Sequence, residues 1–139
     1  MTPEETVAVA NRWHLDLIQA GNVAQAGDIL TPDVVVYANG QEVRGLANVT
    51  QLAIGLRAAV PDIEFTHDET LVAGDRVVIR WPNAGMHLGP SFGVPASGKR
   101  LRFTGLDLVH LRDGKIAALW ITFDNYGVLQ QMGALPAPG

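Results

Sequence analysis

The chain has 139 residues, of which 47% are hydrophobic and 17% are charged, and its formal net charge is −4 at pH 7. These values suit one folded domain and argue against a disordered chain. No cluster of Lys and Arg is present, so neither nucleic acid nor a membrane surface is expected as a partner. The absence of cysteine excludes disulfides and thiol chemistry. We expect a cytoplasmic protein, although a chain without cysteine would also suit secretion.

Helices are predicted mainly in the first half of the chain. Thr2 followed by Pro3 indicates a helix start, because a capping hydroxyl and a proline in the first turn are typical there. Apolar residues then recur at helical spacing as far as Gly21. The predicted segments of this half are a helix from Thr2 to Gly21, a helix over 23–30, a strand over 33–38 closed by Asn39-Gly40, and a helix over 46–60.

Alternating patterns dominate the second half, so a mostly antiparallel sheet is predicted there. Because helices precede the run of strands, the expected class is α+β, a single domain over 1–139 with helices laid on one sheet face. The predicted strands cover 63–72, 76–81, 101–111 and 115–123, and a short last helix covers 125–132. The last two strands are apolar on both faces, so either a second copy of the chain covers the outer face or the sheet curls around its own core.

Asp107 is the charge that we single out for chemistry. Strand side chains alternate between faces, and Asp107 is the only charge in the more apolar row of its strand. We predict a three-residue loop, 112–114, in preference to a two-residue Asp113-Gly114 turn, because it asks only glycine to take a positive φ. Leu111 then pairs with Lys115. In this register the row of Asp107 continues as Ala117, Leu119, Ile121 and Phe123.

A carboxylate on an apolar wall loses solvation, which disfavours its charged form and suits a general acid or base. The structural alternative is a bond from Asp107 to a backbone group or to a buried arginine such as Arg80, and both interpretations stay open. Asp124 falls opposite Arg102 in the same register, so an ion pair or a cap for the last helix accounts for it.

Tyr37 and Asn39 are two residues apart on a predicted strand, so their side chains point the same way. A hydroxyl and an amide side by side could hold a water or a ligand oxygen. The alternative is a strand-end tyrosine followed by an Asn-Gly turn.

The chain contains four histidines. His14 lies beside Trp13 on the first helix and could reach a pocket, with a packing role as the alternative. His87 lies in a glycine-rich loop or at a strand edge, and His67 is expected to be exposed. Since the histidines are scattered without paired spacing, no metal site is predicted.

Three stretches carry a resemblance to a known family: GMHLGPSFGVPASGK (85–99), LVHLRDGKIAALW (108–120) and DNYGVLQQMG (124–133). They resemble the SnoaL-like polyketide cyclases, which share a fold group with nuclear transport factor 2, ketosteroid isomerase and limonene epoxide hydrolase. The resemblance implies a cone-shaped, curved, mostly antiparallel sheet wrapped around three N-terminal helices, with a short C-terminal helix and a deep apolar pocket. It also implies a homodimer or tetramer, no cofactor and a hydrophobic small-molecule ligand.

The resemblance implies a catalytic Asp on the last strand, with a His nearby on the preceding strand. Counted from the shared DGKI at 113–116, the Asp position holds Ile121 and the His position holds Asp107. Asp107 is therefore expected to act in place of the missing acid. The epoxide hydrolases match at Tyr37-Ala38-Asn39 and less closely at Arg80. The residues expected to bind the ligand are Trp13, His14, Tyr37, Asn39, Arg80, His87, Leu119, Ile121 and Asp124.

The favoured hypothesis is a cofactor-independent enzyme that performs an aldol-type cyclisation or an isomerisation on a hydrophobic, oxygenated molecule such as a polyketide. Asp107 would move a proton next to a carbonyl while Tyr37, Asn39 or Arg80 polarises the oxygen. A second hypothesis is an epoxide-opening hydrolase with a water held by Tyr37 and Asn39. A third is a ligand-binding domain without catalysis, motivated by Ile121 at the position of the family's Asp.

Overall fold

A seven-stranded, mostly antiparallel sheet curves around the helices in the computed structural model, which describes residues 1–136. The helices are α1 (Pro3–Arg12), extended by a π-helical segment (Trp13–Gln19), then α2 (Ala26–Ile29) after a 3-10 turn (Val23–Gln25), α3 (Leu46–Ala59) and α4 (Asn125–Gln131). The strands are β1 (Leu30–Ala38), β2 (Gln41–Arg44), β3 (Glu64–Phe65), β4 (Glu69–Ala73), β5 (Arg76–Met86), β6 (Arg100–Arg112) and β7 (Lys115–Phe123).

The strand order is β2-β1-β7-β6-β5-β3, and β4 pairs with β5 beyond the end of β3. Strand β1 runs parallel to β7, and the other pairs are antiparallel. Helices α1 and α3 pack against one side of this sheet, which we call the inner face, and together they bury the core. The predicted α+β class and the curved sheet around N-terminal helices are confirmed. No helix within residues 1–136 is both long and apolar enough to cross a bilayer.

The predicted turn between β6 and β7 is wrong in its form. Arg112 pairs with Lys115, so the turn is the two-residue Asp113-Gly114, and both of its residues have positive φ, 53° and 75°. Such a turn matches the twist of a hairpin, and a short polar side chain such as Asp tolerates that φ. A β-bulge follows at Ala117 in β7. Leu111 pairs with Ile116 and His110 pairs with Ala118, so Ala117 between them has no partner on β6.

This bulge restores the row that the three-residue loop was expected to give. Asp107 pairs with Ile121, and its neighbours along the two strands pair as Val109 with Leu119 and Gly105 with Phe123. The prediction that Leu119, Ile121 and Phe123 share a face with Asp107 is therefore confirmed. A bulge adds one residue to one strand and so shifts every later side chain by one position.

The single strand predicted over 63–72 is also wrong. Two short strands replace it, β3 and β4, and residues 66–68 between them leave the regular ladder. Both strands pair with β5, and backbone bonds from Thr66 N to Pro82 O (3.0 Å) and from Asp68 N to Arg80 O (2.9 Å) carry the chain across the gap. His67 lies in this interruption.

Gly105 lets the indole of Trp81 lie close over β6. A Cβ at this position would lie 2.5 Å from the carbonyl oxygen of Thr122 and 2.8 Å from Cζ2 of Trp81. Both distances are below van der Waals contact, so the sheet has no room for a side chain here.

Gly105→Ala is expected to lower the free energy of unfolding by about 1–3 kcal/mol, because the added methyl group forces backbone or indole to shift. The matched control is Gly55→Ala on the exposed side of α3, where a Cβ meets nothing within 4 Å. That change should stabilise the protein by about 0.5–1 kcal/mol, since alanine favours a helix over glycine. Urea denaturation of the two variants measures both effects, and equal stabilities would contradict the packing argument.

Candidate active site

Asp107 is buried in the middle of the inner face. It lies between Ile79 of β5 and Ile121 of β7, and only 1% of the residue is exposed. Three central strands therefore hold the carboxylate away from water. A buried carboxylate requires partners, because a charged group loses far more hydration free energy on burial than a neutral polar group does.

Two side chains supply those partners. Nε1 of Trp81 donates a 2.9 Å hydrogen bond to Oδ1 of Asp107. Nε2 of His14 lies 2.7 Å from Oδ2, and the side chains of both residues are at most 2% exposed. The contact between His14 and Oδ2 is short but does not have the angle of a hydrogen bond. Within residues 1–136, Oδ2 therefore accepts no hydrogen bond. The structural alternative of a bond to Arg80 is wrong, since Arg80 contacts Asp68 and Glu69.

His14 continues the chain of contacts outward to His67. Nδ1 of His14 lies 2.9 Å from Nε2 of His67. Phe65 stacks on the His14 ring with a centroid distance of 4.1 Å and an interplanar angle of 8°. His67 was expected to be exposed, and this is wrong, because its side chain is half-buried against His14. That burial lowers the pKa of His67, as does the neighbouring His14, while the carboxylate of Asp107 acts in the opposite direction.

The π-helical segment after α1 brings His14 to this position. Trp13 and His14 are adjacent in sequence, yet both are buried. The end of the segment is fixed by Arg57, whose Nη1 donates to the carbonyls of Ile18 and Gln19. Local π-helical turns are frequent at functional sites, and here the segment faces the inner sheet.

A small apolar cavity lies beside this cluster, with a volume of about 50 Å³. His14 and Trp81 form part of its wall, whereas Asp107 does not and therefore sits behind them. The volume is about that of one or two water molecules. The cavity is lined by Trp13, His14, Ile18, Leu56, Ile63, Phe65, Trp81, Asn83, Phe103, Ile121 and Phe123.

Three of the residues expected to bind a ligand line the cavity, namely Trp13, His14 and Ile121. Leu119 is fully buried in the core on the same face as Asp107, although it is not part of the cavity wall. His87 is also fully buried, and its Nδ1 contacts Ser97, away from this cavity.

The remaining four expected ligand-binding residues do not line the cavity: Tyr37, Asn39, Arg80 and Asp124. Tyr37 stacks on Trp120 at a centroid distance of 5.1 Å, on the sheet side opposite to Asp107. Asn39 has a φ of 49° and forms the β1–β2 turn with Gly40, so the expected Tyr-Asn water site does not form. Arg80 is on the outer face and ion-paired.

Asp124 caps α4, as one of the sequence alternatives predicted. Its Oδ1 accepts a 2.8 Å hydrogen bond from the backbone N–H of Gly127. The predicted position opposite Arg102 is wrong, because the two-residue turn and the bulge each shift the register by one residue. The Asp124 N–H donates to the carbonyl of Thr104 instead.

Sequence reasoning missed Trp81, His67 and Asn83. Trp81 and Asn83 alternate with outward-facing residues on β5, and the predicted strand ended at Trp81, which left Asn83 out. Extending the alternation of β5 by two residues would have placed Asn83 on the inner face. Within residues 1–136, no group of three or more His, Cys, Asp or Glu side chains has the arrangement of a metal site.

The family model of the SnoaL-like polyketide cyclases matches residues 8–132. The chain belongs to this family. No curated protein matches the sequence. As a SnoaL-like protein, it is similar in structure to TsrD of Streptomyces laurentii, with a TM-score of 0.85 and 26% identity over 97% of this chain and 99% of that one.

Two further solved structures share the fold. A protein assigned as a SnoaL-like polyketide cyclase from Jannaschia sp. CCS1 has a TM-score of 0.87 and 25% identity, with 98% of each chain covered. An epoxide hydrolase of M. tuberculosis described as LEH-like has a TM-score of 0.74 and 17% identity, over 95% of this SnoaL-like chain and 92% of that chain. The second likeness is one of fold alone.

Trp81→Phe is expected to lower the free energy of unfolding by about 1–3 kcal/mol, because it leaves Oδ1 of the buried Asp107 without its donor. The matched control is Trp120→Phe on the outer face, where the indole is 36% exposed. Chemical denaturation at neutral pH compares the two variants. Equal losses of stability would contradict the view that the indole N–H, rather than the ring's bulk, supports the carboxylate.

Proposed function

We propose that this protein is a cyclase-like enzyme that needs no cofactor and moves a proton on a hydrophobic, oxygenated small molecule. The observation that carries the proposal is the fully buried Asp107 in contact with His14 and Trp81, which both line a mostly apolar cavity. A carboxylate held dry beside a cavity is suited to general acid or base chemistry. Membership of the SnoaL-like family supports the same class of reaction.

Oδ2 is the proposed proton acceptor of Asp107. The indole of Trp81 occupies Oδ1, whereas Oδ2 meets only the off-line contact with His14. A lone pair that is not used by an in-line donor remains free to take a proton. His14 lies 2.7 Å from this oxygen and is the nearest group through which the proton could leave again.

The proposed reaction is an intramolecular aldol condensation or a related isomerisation. Oδ2 takes a proton from a carbon next to a carbonyl, and the electron pair of that C–H bond forms an enolate. In the aldol case the enolate carbon attacks a second carbonyl carbon, a C–C bond forms, and the new alkoxide takes the proton back from Asp107. In the isomerisation the proton returns to another carbon. Atoms and charge balance in both cases without a redox step.

Asn83 is the proposed anchor for a ligand oxygen. It is 5% exposed, lies on the inner face two residues after Trp81 and lines the cavity. An amide that lines an apolar cavity can donate a hydrogen bond to a carbonyl oxygen and polarise it, and this role replaces the one expected of Tyr37, Asn39 and Arg80.

The cavity has to widen before a polyketide can bind. Its volume of about 50 Å³ is far below the roughly 300–1,000 Å³ of typical ligand pockets. Phe65 and Phe123 are only partly buried and line it, so rotation of these rings is the proposed route of entry. Displacement of the His14 ring would then uncover Oδ2.

The two other hypotheses are less well supported. An epoxide-opening hydrolase needs an activated water, and Tyr37 and Asn39 lie apart from the carboxylate. Labelled solvent oxygen in a diol product would establish it nevertheless. A ligand-binding domain without catalysis would bind polyketides and terpenoids tightly with no turnover.

Asp107→Asn is expected to lower turnover by about 100-fold or more, because the amide keeps the shape of the carboxylate but cannot accept the proton. The assay follows cyclisation of β-dicarbonyl polyketide esters by loss of starting material and by product mass. The matched control is Asp113→Asn in the exposed β6–β7 turn, where asparagine tolerates the positive φ. Unchanged turnover in Asp107→Asn would refute the assignment.

We also propose that two copies associate through the outer face of the sheet. Leu71, Val78, Leu108, Trp120 and Tyr37 are register partners and form one row across five strands. Leu71 is 60% exposed and Trp120 is 36% exposed. An apolar row of this length on a sheet face is typical of an interface.

Leu106→Arg is expected to convert the homodimer into a monomer. Leu106 is 49% exposed on the outer face of β6, so the charge would be buried without a partner in the interface. The matched control is Leu15→Arg, at a position that is 38% exposed on the π-helical segment. Light scattering after size exclusion gives the mass, and a monomeric wild-type protein would contradict the proposal.

A further inference from the structure

We propose that His67 and His14 form a proton relay that links the buried carboxylate of Asp107 to solvent. The relay deepens the proposed function, since it would set the protonation state in which Asp107 begins each turnover. Its existence is nevertheless a property of the protein alone and can be tested without a substrate.

The distances define a continuous path of three groups. Oδ2 of Asp107 lies 2.7 Å from Nε2 of His14, and Nδ1 on the other side of that ring lies 2.9 Å from Nε2 of His67. The side chains of Asp107 and His14 are 0% and 2% exposed, whereas His67 is only partly buried. Both gaps are therefore short enough for a proton transfer, the one between His14 and Asp107 after a turn of the imidazole that aligns its Nε2–H with Oδ2. His67 is the group of the three that lies nearest to solvent.

The chemistry of imidazole gives the path a direction. Nε2 of His14 faces a carboxylate, so it carries a hydrogen, and in the neutral ring Nδ1 is then an acceptor. His67 fills that acceptor by donating from its own Nε2. A ring that donates at one nitrogen and accepts at the other can pass a proton through itself.

The transfer balances without any further reactant. A water molecule gives a proton to Nδ1 of His67 and leaves as hydroxide (or a hydronium ion gives it and leaves as water), and His67 releases its Nε2 proton to Nδ1 of His14. His14 in turn releases its Nε2 proton to Oδ2 of Asp107. Both histidines end neutral in the opposite tautomer, and Asp107 has gained one proton. The reverse sequence returns the proton to water.

The surroundings of His67 keep the path open. Phe65 covers the face of His14, and Trp81 holds Oδ1, so neither competes for the two nitrogens of His14. The charged groups next to His67 along the chain are occupied elsewhere: Asp68 and Glu69 both contact Arg80 on the outer face. The half-burial of His67 favours its neutral form, which a relay needs at rest.

Without such a path, the buried pair of Asp107 and His14 would exchange protons with solvent slowly. It would have to wait for a local opening of the fold, which costs free energy each time. The interruption of the ladder at residues 66–68 removes the need for this opening, because it places an imidazole between the pair and solvent.

The test measures exchange of the Nε2 hydrogen of His14 with water, by nuclear magnetic resonance on protein labelled with ¹⁵N-histidine. His67→Phe removes both the hydrogen bond and the relay. His67→Gln keeps a donor at about the same place but cannot pass a proton on. The matched control is His110→Phe, because His110 packs against Trp120 on the outer face. Circular dichroism checks the fold of each variant.

We expect exchange in both His67 variants to be slower than in the wild type by at least about tenfold, because it must then follow local opening. His67→Gln should also retain the wild-type tautomer of His14, and His110→Phe should behave as the wild type. Exchange in the wild type could be so fast that the Nε2–H signal of His14 is visible only in the two His67 variants, and this outcome would support the relay equally. Equal exchange rates in wild type and His67→Gln would overturn the relay, whatever the outcome for turnover of Asp107→Asn.

Discussion

The burial of one carboxylate governs the arrangement of this molecule. Asp107 lies at the centre of three strands, and a charge there is tolerated only with compensating groups nearby. Trp81 compensates one oxygen with its N–H, and His14 stands against the other. Two further features follow from these contacts. Gly105 has no side chain, which leaves room for the indole of Trp81, and the π-helical segment brings His14 to the sheet. Packing, helix geometry and electrostatics thus converge on one side chain.

Much of the fold could be predicted from alternation and helical periodicity. The apolar row around Asp107 was predicted correctly, since burial imposes a strict period of two on each strand. The turn after β6 was not, because Asp113-Gly114 supports two turn types whose energies differ little. The split between β3 and β4 was missed as well, since residues 66–68 carry no glycine or proline to mark an interruption.

The partners of Asp107 could not be predicted, and the reason is physical. Trp81 and His14 lie on different elements, strand β5 and the π-helical segment, and His67 reaches His14 from 53 residues further along the chain. Sequence spacing gives the face of a strand or helix, but it does not give the angle at which a helix crosses a sheet. The prediction for Tyr37 and Asn39 was wrong for a local reason. Their sequence pattern fitted a turn as well as a water site, and the turn is what formed.

The unpaired Ala117 has a consequence for how this hairpin can evolve. With the tight turn fixed at Asp113-Gly114, this one alanine determines which side chains of β7 face the core and which lie on the outer face. Losing it would transpose the strand beyond that point, carrying Trp120 into the core and Ile121 out of it. Lineages can therefore lengthen or shorten the surface loops around this sheet, whereas a single-codon deletion in β7 would disrupt the core and the surroundings of Asp107 together.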